Sequence, residues 1–198
     1  MKRILCFAVL FMYTTAVMAE PALLDRLVVE INGKSYSQRQ IEIYQAVRTI
    51  AMGEAPARAM PQADTWVRGL ETFKNEMIVY SLIESDAQRL ESYQADQKKL
   101  EEAGKTFMRW QSNDRVFDEF IRRRGLSEPE MVRVLLTVFR VQAYVRSRVQ
   151  LSSPGNNGEQ VFLSIDPLAD WFQSLQKLTS YRYYSKARDY VPLIPFRS

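Results

Sequence analysis

The chain has 198 residues, with 27 basic and 23 acidic side chains, one cysteine and no histidine. Without histidine there is no Ser-His-Asp triad, no Cys-His pair and no ordinary zinc site. Carboxylates, lysines and tyrosines are what remains for chemistry. They form no recognisable catalytic constellation, so the composition points to a binding protein that needs no metal and no cofactor.

Lys2-Arg3 is followed by the apolar run Ile4 to Met12, which contains Cys6, and then by Val17-Met18-Ala19 with small or tolerated residues at the cleavage positions. This is the pattern of a secretory signal peptide over residues 1–19, cut after Ala19. The apolar run is shorter than the ~20 residues that span a bilayer, so a soluble, exported chain is expected. Taking Lys2 and Arg3 from the 27 basic residues leaves 25 against 23 acidic ones, a net charge of only +2. In an exported protein Arg122-Arg123-Arg124 reads as a solvated helix end, and no nucleic-acid partner is expected.

Leu27-Val28-Val29-Glu30-Ile31 reads as a strand, Asn32-Gly33 as a tight hairpin turn and Lys34-Ser35-Tyr36 as the return strand. Ser37 with Gln40 forms a capping box that starts a helix bearing Ile41, Tyr44, Val47 and Ile50. Gly53 ends that helix, and a loop with Pro56 and Pro61 follows. A long second helix is expected from Asp64 to Glu91, with the stripe Trp66, Leu70, Phe73, Met77 and Tyr80.

Leu100, Ala103, Phe107 and Trp110 mark a third helix, weakened by Gly104. A short one from Asp114 to Arg124 turns Phe117, Phe120 and Ile121 inward and ends at Gly125. Ser127 to Glu130 is a second capping box, opening a long helix with Met131, Leu135, Phe139, Val145 and Val149. Residues 152–158 are rich in Ser, Pro, Gly and Asn and read as a linker. Asp166-Pro167 then starts a last helix with Leu168, Trp171, Phe172, Leu175 and Leu178, before a short strand over Tyr181 to Tyr184.

The order of elements resembles the chaperone core of the SurA family of periplasmic folding factors, with a trigger-factor-like helical architecture. The likeness rests on Val28 to Gly33 leading into Ser37 to Ile41, on the helix from Leu70 to Leu90, on Phe120 to Ser127 before Met131, and on Ala169 to Phe172 through Tyr184. It runs over residues 25 to 185 in element order, and none of its motifs is diagnostic alone.

The resemblance implies a mainly α fold with an N-terminal hairpin and a C-terminal helix and strand that pack back on it, the last strand pairing with the first. The domains are then 20–151 as the helical chaperone domain, 152–165 as linker, and 166–198 as the helix, strand and tail that complete it. Family members usually carry parvulin-type prolyl isomerase domains. Here only residues 152–165 occupy that place and histidine is absent, so isomerase activity is not expected.

A periplasmic holdase that binds unfolded outer-membrane proteins without ATP is the function this implies. Its groove would use aromatics and methionines, which adapt to varied sequences. The residues available are Met77, Tyr80, Met108, Trp110, Phe117, Met131, Phe139, Trp171 and Phe172, of which Tyr80 and Trp110 are expected to be exposed. Apolar residues at helical spacing are ordinarily core, so each has that plainer reading too. Two other readings stand beside the holdase. One is a scaffold binding a fixed partner or a second copy of itself. The other is a carboxylate enzyme using Asp114 with Asp118, or Asp118 with Glu119.

Overall fold

A computed structural model of the chain describes residues 25–56, 63–152 and 169–184. The expected signal segment, the expected Asp166-Pro167 cap, residues 153–165 of the expected linker, Pro61 of the expected loop and the tail beyond Tyr184 lie outside the described residues. The fold is mainly α with one small antiparallel sheet of order β2-β1-β3.

Strands β1 (Leu27–Ile31) and β2 (Lys34–Ser37) form the hairpin, with Glu30 opposite Ser35 and Ile31 opposite Lys34. Asn32 and Gly33 both have positive φ, 49° and 78°, the geometry that matches strand twist in a two-residue turn. The register slips between Leu27 and Val29. A bulge there breaks the alternation of side chains, and Val28 and Val29 are both buried.

Helix α1 (Gln38–Ala51) starts in the expected capping box: Ser37 Oγ accepts from the Gln40 amide, and the Gln40 side chain accepts from the Ser37 amide. It is the central helix. Ile41 and Tyr44 enter one core cluster with β1, while Ile43, Ala46, Val47 and Ile50 enter a second. A single apolar stripe had marked only part of this burial, because α1 is covered on most sides.

The second helix is shorter than the sequence implied. Helix α2 (Ala63–Glu84) stops, and a separate α3 (Ala87–Ser92) begins at Asp86, whose carboxylate accepts from the amides of Gln88 and Arg89. An aspartate that caps a new helix competes with continuing the old one. Helices α4 (Gln97–Asn113) and α5 (Arg115–Arg124) meet at Asp114, the N-cap of α5, and α5 ends at Gly125 with φ 57°.

Helix α6 (Glu128–Ser152) is the second element shared by both clusters. Met131 and Leu135 join α4 and α5, while Val138, Val141, Tyr144 and Val145 join α2 and the sheet. Helix α7 (Ala169–Leu178) buries Phe172 and Leu175 in the first cluster. Strand β3 (Tyr181–Tyr183) then pairs antiparallel with β1, Val29 opposite Tyr183 and Ile31 opposite Tyr181.

Candidate functional site

A surface cleft of about 420 Å3 opens where β2, α1, α2 and α6 converge. Strand alternation puts Lys34 and Tyr36 on its side of the hairpin. Phe73, Met77, Tyr80 and Glu84 reach it from one face of α2 at steps of four, three and four. From α6 come Glu130, Arg133, Val134, Leu136, Thr137 and Arg140, and α1 supplies Gln40, Ile43 and Tyr44.

Three rings make the floor. Phe73 stands edge-on to Tyr36 and to Tyr44, with ring centres 5.1 Å apart in each case, the packing aromatic quadrupoles favour. Tyr44 is anchored from behind: its hydroxyl donates to Glu76 Oε2 at 2.7 Å, and Arg48 Nε donates to Glu76 Oε1 at 2.8 Å. Burial, with Glu76 beside it, raises the Tyr44 pKa well above the ordinary value. Burial, with Glu84 and Tyr80 nearby, pushes Tyr36 up to about 12. Both phenols are therefore neutral at physiological pH.

The rim is charged. Lys34 faces Glu84 at 3.8 Å. Arg39 holds Glu130 through two bonds of 2.8 and 2.9 Å, which keep that carboxyl below its ordinary pKa, and also donates to the carbonyls of Arg124 and Gly125. The Nε of Arg140 is buried and has no hydrogen-bond partner among the described residues.

Of the nine residues expected to bind a client, only Met77 and Tyr80 line this cleft, and Met77 is itself almost fully buried. Phe117 and Met131 are core of the second cluster and Phe172 of the first. Helical spacing selected them because core stripes and groove stripes look alike in sequence. Trp110 and Phe139 pack half-buried against the second cluster, and Trp171 lies against Tyr144 and Phe172. Met108 is 50% exposed but lies apart from the cleft. The expected exposure of Tyr80 and Trp110 is therefore only partial.

Tyr44 and Phe73 are buried in the first cluster, as their helical stripes implied, and reach the cleft only from beneath, whereas the partly exposed Tyr36 was read only as part of a strand. Sequence reasoning missed Arg133, Thr137 and Arg140. Their steps of four and three along α6 place a polar stripe beside the apolar one, which was legible as a helix face.

The carboxylate pairs are committed elsewhere. Asp114 accepts from the amides of Val116 and Phe117, Asp118 pairs with Arg122 at 2.7 Å, and Glu119 pairs with Arg123. The arginine run divides accordingly, since Arg124 is buried rather than solvated. Among the described residues no group of acidic side chains is arranged to hold a metal ion, and no helix is long and apolar enough to cross a membrane. No family model, curated protein or solved structure matches the chain.

Proposed function

We propose that this protein is a binding protein without catalytic activity: an ATP-independent holdase, exported to the periplasm after cleavage past Ala19, that shields unfolded outer-membrane proteins. The observation that carries the reading is the cleft. It leaves the partly exposed rings of Tyr36 and Tyr80 between charged rims, in a volume within the roughly 300–1,000 Å3 of pockets that take a ligand. Apolar side chains of a client would leave water there, while Lys34, Glu84 and Arg133 keep the mouth soluble. The SurA-like order of elements supports the same reading.

Light scattering of a porin diluted from urea tests it. The mature protein at a few-fold excess is expected to suppress aggregation, and Tyr80→Gln or Thr137→Glu, both in the cleft, to reduce that suppression. Aggregation unchanged at every ratio would refute the holdase.

A second reading is a scaffold for one fixed partner, including a second copy of the chain. It is favoured by apolar side chains around the C-terminal strand: Leu178 is 85% exposed, and Tyr181 and Tyr184 are also open. A stoichiometric complex recovered from periplasm, lost on Leu178→Glu and indifferent to Tyr80→Gln, would select it.

A further inference from the structure

Strand β3 is the last in the sheet order β2-β1-β3, so one of its edges has no strand beside it among the described residues. The Tyr184 amide donates to the Val28 carbonyl, and the Ser180 carbonyl accepts from the Asn32 amide. The even-numbered residues therefore turn their backbone groups towards β1. By the alternation of an antiparallel ladder, the amides and carbonyls of Tyr181 and Tyr183 point the other way. They have no partner among the described residues.

The strand is held from behind. Lys74 lies 5.0 and 5.9 Å from the ring centres of Tyr181 and Tyr183, and the Tyr183 hydroxyl donates to Glu71 at 2.6 Å. Seven large apolar side chains stand exposed among the described residues, and five of them gather around this edge. Tyr181 and Tyr184 belong to it, and Leu178 leads into it. Leu27 adjoins Val28, and Val67 is one helical turn from Glu71 on α2. An open edge flanked by apolar surface is a template for a further strand.

Charge decides which strand. Arg182 sits between the two tyrosines on the opposite face of β3, exposed and without an ion pair among the described residues. The carboxylates beside the strand are engaged: Glu30 accepts from the Tyr184 hydroxyl, and Glu71 from Lys74 and Tyr183. A second copy paired about the middle of β3 would set Arg182 directly against its own counterpart, which is destabilising. The tail beyond Tyr184 carries Lys186, Arg188 and Arg197 against Asp189 alone, so it is basic as well. An acidic strand meets neither obstacle.

We propose that the free edge of β3 takes up an antiparallel strand of a partner polypeptide in which apolar and acidic residues alternate. Apolar residues opposite Tyr181 and Tyr183 exchange backbone hydrogen bonds with them, and the acidic residue between meets Arg182. None of these residues lines the cleft. The inference deepens the fixed-partner reading, rests on this face being an interface, and stands whether or not the cleft takes clients.

The test is fluorescence anisotropy of the mature protein with a labelled peptide, Thr-Phe-Glu-Val-Glu-Phe-Thr. Backbone N-methylation at its Phe and Val residues, whose amides face β3 in this pairing, is expected to weaken binding about tenfold. Methylation at the two Glu residues, whose amides face away, should leave it unchanged. A peptide with Lys in place of Glu should bind up to about fivefold more weakly, the scale of one cross-strand charge pair. Arg182→Glu should reverse that preference and Arg182→Lys should keep it, with circular dichroism reporting that both variants fold.

No binding by the wild type would overturn the proposal, the edge then being unused or covered by the tail. Equal loss from methylation at either set of residues would overturn it too, since a merely apolar patch reads no backbone direction. Sedimentation in which the peptide dissolves a dimer would assign the edge to a second copy instead. Failure of the two readings is separable. A periplasmic complex lost on Leu178→Glu, with no methylation pattern in the peptide, keeps the fixed partner and loses this inference; the methylation pattern without a complex does the reverse.

Discussion

Arg124, the last residue of α5, donates through Nε to Glu42 in the middle of α1, and both side chains are withdrawn from water, 4% and 0% exposed. Gln38 donates to the other oxygen of Glu42 at 2.9 Å, and the Arg124 guanidinium lies over the Phe120 ring. This ion pair ties α1 to the α5–α6 turn, where Arg39 also grips the carbonyls of Arg124 and Gly125.

Removing one partner leaves the other charge buried alone, so Arg124→Met or Glu42→Gln should each cost about 3–5 kcal/mol. The double variant Glu42→Leu with Arg124→Met should recover much of that loss, since apolar replacement of a buried pair is often near neutral. Urea unfolding of the three variants checks this, and a double variant no better than the singles would contradict it.

Asn32 joins the hairpin turn to the C-terminal segment. Its amide donates to the Ser180 carbonyl at 2.8 Å, its Oδ1 accepts from the Ser180 amide at 3.2 Å, and its Nδ2 donates to Ser81 Oγ at 2.8 Å. Asn32→Ala should loosen β3 while leaving the helices folded. Hydrogen exchange is expected to accelerate at Ser180 to Tyr184 more than in α2 or α6.

Stability should fall at both ends of the pH scale. Glu130 is held below its ordinary value of 4.5 by Arg39. Burial alone would raise Glu71, but hydrogen bonds from Lys74 and Tyr183 bring it below the same value. A carboxyl depressed in the folded state stabilises above the unfolded pKa, and that contribution is lost as pH falls through the folded one. Tyr36 is the opposite case, raised by burial to about 12. Its contribution is complete below 10.0 and disappears as pH climbs from there towards 12. Urea midpoints measured across pH should show both limbs, with Glu130→Gln flattening the acid limb and Tyr36→Phe the alkaline one.

Two helical glycines should respond differently to alanine. A Cβ at Gly104 in α4 would meet nothing within 4 Å, so Gly104→Ala should stabilise by about 0.5–1 kcal/mol through helix propensity alone. At Gly69 in α2 the same atom would lie 2.4 Å from the Gln45 side chain of α1. Gly69→Ala must displace that amide, whose Nε2 has no partner among the described residues, and the displacement offsets part of the propensity gain, so it should stabilise less than Gly104→Ala. Thermal melts of the two variants read the difference.

Much of the fold was legible from local chemistry. Asn32-Gly33, Ser37 with Gln40, and Gly125 each satisfy a backbone requirement within a few residues, and each sits where its type predicts. The break at Asp86 was hidden by a stripe that continues to Ile83, so the cap became visible only with its acceptor geometry. The cleft was less legible, because it depends on distant partners. Tyr36, Phe73 and Arg140 meet across three elements, and no spacing along the chain records that meeting. Phe117 and Met131 illustrate the converse: their helical spacing was read correctly, but the face proved to be core.

The central claim is that an unfolded client occupies this cleft. Photo-crosslinking tests it most directly, with a benzoyl-phenylalanine placed at Thr137 in the cleft or at Met108 outside it, and an unfolded porin as the client. Crosslinks from position 137 and none above background from 108 are the predicted result. Equal crosslinking from both positions, or crosslinking from 108 alone, would contradict the account.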